Sequence, residues 1–138
     1  MSEAPITGSC VCGAVQYEIR PPFLAMQYCF CSRCRKQSGT AHAANLFVPA
    51  DQLAFTAGQE HVRRFELQTA KYWCNAFCEI CGSRLPWLSK TGKAWLVGSG
   101  GLDGDPGMRP QRNIFFASRG PWYVHASELP TFEEAPPR

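Results

Sequence analysis

Eight cysteines in 138 residues constrain this chain more than any other feature, because they come in groups. They fall into C-x-C at Cys10 and Cys12, C-x-C-x-x-C at Cys29, Cys31 and Cys34, and C-x-x-C at Cys78 and Cys81, with Cys74 alone. In a reducing cytosol such clusters read as metal ligands and not as disulfides. An even count also suits a secreted, disulfide-stapled domain. Against that reading, "MSEAPITGSC" has neither the basic start nor the apolar run of a signal peptide.

Zinc takes thiolates at about 2.3 Å in a tetrahedron, so neighbouring ligands must converge locally. Cys78-Glu79-Ile80-Cys81 followed by Gly82 reads as a turn that curls around an ion, with glycine relieving the backbone after the second ligand. Cys10 and Cys12 read as an extended pair, whose i and i+2 side chains project from one face. Two such half-sites make one complete four-cysteine site of Cys10, Cys12, Cys78 and Cys81. Its closure spans about 70 residues and staples the N-terminal strand to the middle of the chain. A site with no open position is structural, and its metal contributes on the order of 10 kcal/mol to folding.

Cys29, Cys31 and Cys34 are then left with three ligands and an open fourth place, the arrangement of catalytic zinc. Three thiolates on Zn²⁺ leave a net negative charge, which the neighbouring Arg33, Arg35 and Lys36 can offset while attracting an anion. The competing reading closes the shell with Cys74 or with one of His42, His61 and His125. The chain would then be a non-catalytic, zinc-stabilised binding module with two structural sites.

The rest of the chain reads as mainly β. Twelve glycines and eleven prolines break it into short segments, and helical periodicity is scarce. "AVQYEI" (residues 14–19) alternates apolar and polar residues with the period of a half-buried strand. Residues 42–48, 61–67, 71–77, 93–98 and 112–118 also read as strands. Short helical turns are expected at 32–37, ended by Gly39, and near 127–129. The expected architecture is a set of small antiparallel sheets with metal at their junction, in one zinc-binding domain over residues 1–138. The tail from residue 130 reads as an extended strap.

A hydrophobic share of 45% and a charged share of 18% suit a folded chain. A net charge of +3 is too small to imply nucleic acid, yet it suits a small anionic ligand. No window approaches the roughly 20 apolar residues of a membrane span. The protein is expected to be soluble and cytoplasmic, with no membrane or nucleic-acid partner.

The order of these motifs resembles the glutathione-dependent formaldehyde-activating enzyme family, which includes centromere protein V. The resemblance rests on C-x-C, then C-x-C-x-x-C with "RK" and a glycine behind it, then "FCEICGSRL". The later stretches "GGLDGDPGMRPQRNIFFASRGPWY" and "ELPTFEEAP" extend it over nearly the whole chain. It implies a β-tent-like fold with two zinc sites, structural at Cys10, Cys12, Cys78 and Cys81, and catalytic at Cys29, Cys31 and Cys34. It also implies a carbon–sulfur lyase of the S-(hydroxymethyl)glutathione synthase type, which reversibly condenses glutathione, or a similar thiol, with formaldehyde or another small aldehyde. The chain departs from many relatives in carrying Phe30 where they have histidine, and Cys74 has no counterpart in the pattern.

Such chemistry needs a thiol ionised near neutral pH, an aldehyde held within about 3–3.5 Å of it, and a donor for the developing alkoxide. Glutathione carries two carboxylates, for which Arg33, Arg35, Lys36, Arg109, Arg112 and Arg119 are candidate partners. Trp87, Trp95, Trp122 and Tyr123 can wall a pocket or fill the core. The glycine-rich run at 98–107 lacks both the third glycine of a dinucleotide loop and the lysine of a phosphate loop. It reads as a turn-rich segment bordering the site.

Overall fold

The computed structural model describes residues 4–138. Three small sheets carry the architecture, as the short alternating segments require. The first joins β1 (Ile6–Ser9), β2 (Gln16–Ile19) and β5 (Leu53–Ala57) in the order β1-β2-β5. In β2 the predicted alternation is realised: Tyr17 and Ile19 are buried with Val15 just ahead of them, while Gln16 is exposed.

The central sheet has five strands. It contains β3 (Ala25–Cys29), β4 (Ala43–Pro49), β9 (Trp87–Leu88), β10 (Ala94–Gly98) and β11 (Asn113–Ile114), in the order β11-β3-β4-β10-β9. The third sheet is β6 (Val62–Glu66), β7 (Cys74–Cys78) and β8 (Arg84–Leu85). All pairings are antiparallel except β11 with β3. One seven-residue helix, α1 (Ser32–Ser38), follows β3 directly and ends at Gly39 in the left-handed conformation. The mainly-β class with small antiparallel sheets is therefore what the chain adopts.

Several expectations change in detail. The strand expected at 71–77 begins only at Cys74, after an irregular approach. Of residues 112–118, only Asn113–Ile114 pair, because a single helical turn at Phe116–Ser118 lifts the chain away. The strands β1, β3 and β5 lack a clean alternation, and their existence is a matter of sheet pairing rather than local pattern. The second helical turn falls at Ala126–Glu128, and the tail beyond it is exposed and irregular.

The two faces of the central sheet divide the labour. Met26, Leu46, Val48 and Val97 point into the main core with Tyr17, Ile19 and Leu85. Their alternates Gln27, Cys29, Asn45, Phe47 and Leu96 point the other way, since successive side chains take opposite faces. Register places Gln27 opposite Asn45, and Asn45 opposite Gly98. This second face is the floor of the candidate site.

Candidate metal centres and active site

Two cysteine clusters form, each with its sulfurs within 4.8 Å of one another. The first joins Cys10 and Cys12 to Cys78 and Cys81, from distant parts of the chain. Its halves are related turns. Gly13 N–H donates to Cys10 O at 3.1 Å, and Gly82 N–H donates to Cys78 O at 2.8 Å, with both glycines at φ near +79°. The expectation that Cys10 and Cys12 lie on an extended segment is thus corrected: β1 stops at Ser9, and the pair converges through a tight turn that Gly13 closes. Backbone N–H groups aim at the sulfurs, Val15 to Cys10 at 3.3 Å and Ile80 to Cys78 at 3.4 Å. Ser83 bridges the halves, accepting from Val11 N–H at 3.0 Å with its oxygen 3.2 Å from Cys81 Sγ. The Ser83 hydroxyl and then its backbone N–H bring the Cys81 thiol down to about 5.

The second cluster is local. Cys29 ends β3, Cys31 is the N-cap of α1, and Cys34 lies in its first turn. Cys31 has extended backbone, and Cys34 N–H donates to Cys31 Sγ at 3.3 Å, so a thiol does the capping usually done by a serine or aspartate oxygen. The extended C-x-C geometry therefore belongs to Cys29 and Cys31. The Cys34 thiol hydrogen-bonds the Cys29 sulfur and, with the Cys31 backbone and thiol and the charge of Arg84, draws Cys29 down to about 6. The same pairing with Cys29 pushes Cys34 up. The pairing therefore favours ionisation of Cys29 over Cys34.

Both donor sets fit zinc. A tetrahedron with about 2.3 Å bonds separates neighbouring sulfurs by roughly 3.8 Å. The Cys10–Cys12 and Cys12–Cys78 separations are 3.5 and 4.0 Å. Cys74 belongs to neither cluster. It is buried in the main core, where Arg64 Nη2 donates to its sulfur at 3.3 Å and the thiol faces Tyr72 O.

The three-cysteine cluster opens into a cavity of about 670 Å³, whose floor is the second face of the central sheet. Trp73, Trp87, Tyr72 and Phe115 supply aromatic wall. Phe115 is the one non-glycine residue at positive φ among those described, at 53°, and its ring is 63% exposed. A strained backbone that presents an apolar ring at a cavity is a common mark of a ligand site. Among the described residues three cations line the cavity, Arg33, Lys71 and Arg84, and no carboxylate does. Arg33 and Lys71 are exposed, whereas Arg84 is half-buried and burial lowers its guanidinium from the ordinary value.

Of the six cations expected to meet substrate, only Arg33 lines this cavity. Arg35 donates to Ser118 O, Arg109 pairs with Asp105, and Arg119 stacks on Phe116. Lys36 and Arg112 are also outside it. Trp87 is in the wall, Trp95 packs against Phe55 in the core, and Trp122 and Tyr123 border a separate, smaller hollow. None of the three histidines lines the cavity: His42 stacks on Tyr28, His61 binds Glu79, and His125 meets Tyr123. The glycine-rich run does not border it either, and instead packs on β1 and Tyr17 through Asp103 and Gly101. Phe30 turns away from the cavity into a cage of His42, Phe116 and Tyr123.

Lys71 and Arg84 escaped the sequence reading. Arg84 had a signal in hindsight, a charge heading the otherwise apolar "LPWL" just after a cysteine turn. Lys71 had none, since it sits in an irregular approach to β7.

The sequence model of the family described as "Glutathione-dependent formaldehyde-activating enzyme" matches residues 5–118. The chain belongs to that family. A Halomonas elongata protein named "Putative glutathione-dependent formaldehyde-activating enzyme" is 34% identical over 88 residues, covering 60% of this chain and 55% of the relative. The chain thus spans about half the length of that curated relative. A crystal structure of a Rhodobacter sphaeroides protein superposes with a TM-score of 0.60 at 23% identity, over 78% of this chain and 98% of that one. That likeness concerns the fold alone. Among the described residues no helix is long and apolar enough to cross a membrane.

Proposed function

We propose that this protein reversibly joins a thiol to a small aldehyde, with glutathione and formaldehyde as the pair its family suggests. In the reverse direction this is a carbon–sulfur lyase reaction. The observation that carries the reading is the three-cysteine cluster, which has no fourth side-chain ligand among the described residues and faces a cationic, aromatic-walled cavity. Cys29, Cys31 and Cys34 would hold zinc, and Cys10, Cys12, Cys78 and Cys81 would hold a second, structural ion. Zinc at the open site would supply a Lewis acid that ionises an incoming thiol near neutral pH.

The chain's own residues do the rest. Arg33 and Lys71 at the exposed rim meet the two carboxylates of glutathione, leaving its cysteine to reach inward. Trp73 and Trp87 narrow the space around the reacting atoms, and that positioning is the main contribution such an addition needs. In the addition a sulfur–carbon bond forms, the carbonyl π bond opens onto oxygen, and the proton lost by the thiol is replaced on the new hydroxyl. Such thiol chemistry belongs in a reducing compartment, and we place the protein in the cytoplasm.

The test follows adduct formation by exchange spectroscopy with zinc-loaded protein, glutathione and formaldehyde. Acceleration that disappears in Cys31→Ala is expected. Equal rates with wild type, with Cys31→Ala and with no protein would sink the formaldehyde reading, and the same assay then runs through larger aldehydes. A binding module with two closed sites needs Cys74 or one of His42, His61 and His125 at the second cluster; the burial of Cys74 beside Arg64 and the contacts of the histidines elsewhere favour the open site.

A further inference from the structure

Arg84 is a cation drawn into the protein without a carboxylate to answer it. It leaves β8 and reaches across to the central sheet, where its side chain lies over Gly98, the glycine paired with Asn45. Its hydrogen bond among the described residues is a single one, Nη2 to Asn45 Oδ1 at 2.9 Å. Asn45 is itself 5% exposed, a buried polar side chain on the cavity floor. A neutral amide orients a guanidinium but does not neutralise it. The Arg84 Nε is inaccessible to solvent and has no hydrogen-bond partner among the described residues. Buried donors are satisfied in the great majority of cases, and an orphan needs a reason. The charges that act on the guanidinium are the sulfurs of Cys29 and Cys34 and not a carboxylate, which sets it beside the reacting cluster.

The side chain reaches the cavity. Arg84 lines the cavity with Cys29, Cys31 and Cys34, deeper than Arg33 and Lys71, and among the described residues no acidic side chain shares that lining. Arginine presents a planar fork that matches two anionic oxygens, or one oxygen approached from two nitrogens. We propose that Arg84, oriented by Asn45, binds an anionic oxygen of the reacting molecule beside the three-cysteine cluster. This deepens the function proposed above and rests on it for the identity of the reaction. It divides the cavity into a rim that accepts the distal charges of the thiol and an inner position that reads charge at the reacting end.

Two sources supply such an oxygen. One is the alkoxide that develops as sulfur adds to an aldehyde. The other is a carboxylate carried next to the reacting group, on an oxo-acid aldehyde or a small acidic thiol. They share one recognition chemistry, and they separate by experiment.

The test uses the zinc-loaded full chain, with Arg84→Met, Arg84→Lys and Asn45→Ala, after metal content and melting temperature are checked. Calorimetry compares 3-mercaptopropionate with 2-mercaptoethanol, two thiols that differ in one carboxylate, and kinetics compares formaldehyde with glyoxylate. If the carboxylate is the ligand, wild type prefers the acidic thiol at least tenfold, Arg84→Met abolishes the preference, and Arg84→Lys keeps part of it. If the alkoxide is the ligand, thiol affinities hold while kcat falls about 100-fold with KM unchanged, the loss expected for one oxyanion donor. Asn45→Ala produces a weaker version of whichever loss appears. Should Arg84→Met lose zinc, Arg84→Lys decides, because it keeps the charge and loses the fork. Variants that retain metal and change neither preference nor kcat by more than twofold overturn the proposal. The thiol-binding arm needs no turnover, so an inactive wild type would defeat the enzymatic reading while leaving Arg84 tested.

Discussion

Replacing Phe30 by alanine should cost this protein about 4 kcal/mol and loosen one metal site while sparing the other. Phe30 is fully buried, and its ring meets Phe116 at 5.0 Å, Tyr123 at 5.2 Å and His42 at 4.8 Å between centroids. A buried aromatic removes about 150–250 Å² from water, worth roughly 4–6 kcal/mol at 25 cal/mol per Å² as an upper bound. Phe→Ala changes in cores cost about 3–5 kcal/mol once partial relaxation is included. For a chain of this size, 4 kcal/mol corresponds to a melting temperature lower by about 12–20 °C. Phe65→Ala is the control: that ring is 50% exposed, and its loss should stay below about 1 kcal/mol.

The consequence for metal follows from position in the chain. Phe30 separates Cys29 from Cys31, and its N–H donates to Ile114 O at 3.0 Å. Its ring therefore anchors the peptide on which two of the three clustered sulfurs are carried. A void behind it lets that peptide shift, whereas Cys10, Cys12, Cys78 and Cys81 are held by other turns. Urea unfolding at an unchanged m-value gives the stability, and a chromogenic chelator gives the release rate of each ion. A faster first phase, from the three-cysteine site, beside an unchanged second is expected. A loss below about 1.5 kcal/mol, or equal acceleration of both phases, would refute the reasoning.

Cys78→Ser should remove the structural ion and leave a chain that unfolds below physiological temperature, read by circular dichroism with metal analysis, because structural zinc contributes on the order of 10 kcal/mol. Cys74→Ala should leave zinc stoichiometry unchanged and cost about 1–2 kcal/mol from a buried sulfur lost beside Arg64. In metal-free protein, the thiols of Cys29 at about 6 and Cys81 at about 5 lie below the ordinary thiol value of 9.0. Groups depressed on folding stabilise fully above their unfolded value and lose that contribution as pH falls through the folded one. Stability to urea should therefore climb from about pH 5 to 9, then fall above 9 as the raised Cys34 and Cys12 are forced to ionise. A flat profile between pH 6 and 9 counts against these assignments, and Cys29→Ser should flatten part of it.

Legibility followed the range of the interaction. The C-x-x-C-G turn and the short helix ended by Gly39 were readable because each is settled within a few residues. The alternation of Val15, Tyr17 and Ile19 was readable for the same reason. Cys10 and Cys12 misled because a C-x-C pair converges equally well on a strand or around a turn, and Gly13, the residue that decides, is visible only as a glycine. The cavity was the least legible part. Its floor is every second residue of strands that lie apart in sequence, and its inner cation arrives from β8 across a register no local pattern records. The six cations singled out were near cysteines or in the polar C-terminal half, and five of them turned to backbone, aromatic or acidic partners on the surface or lay outside the cavity.

The two clusters also differ in what the chain must do to make them, and that difference suits their proposed roles. Cys12 and Cys78, 66 positions apart, meet only after the first and third sheets have docked. An ion there reports on the completed fold and reinforces it, which is what a structural site requires. Cys29, Cys31 and Cys34 span one strand end and one helical turn, so their convergence needs only the N-terminus of α1 and the neighbouring β11. A local cluster can lose or gain its ion while the remainder of the fold stands, and its fourth position can be given over to a ligand. On this argument, mild chelation should strip the three-cysteine site first and leave the far-ultraviolet spectrum intact. Loss of structure in step with the first zinc released would mean that the roles of the clusters are reversed.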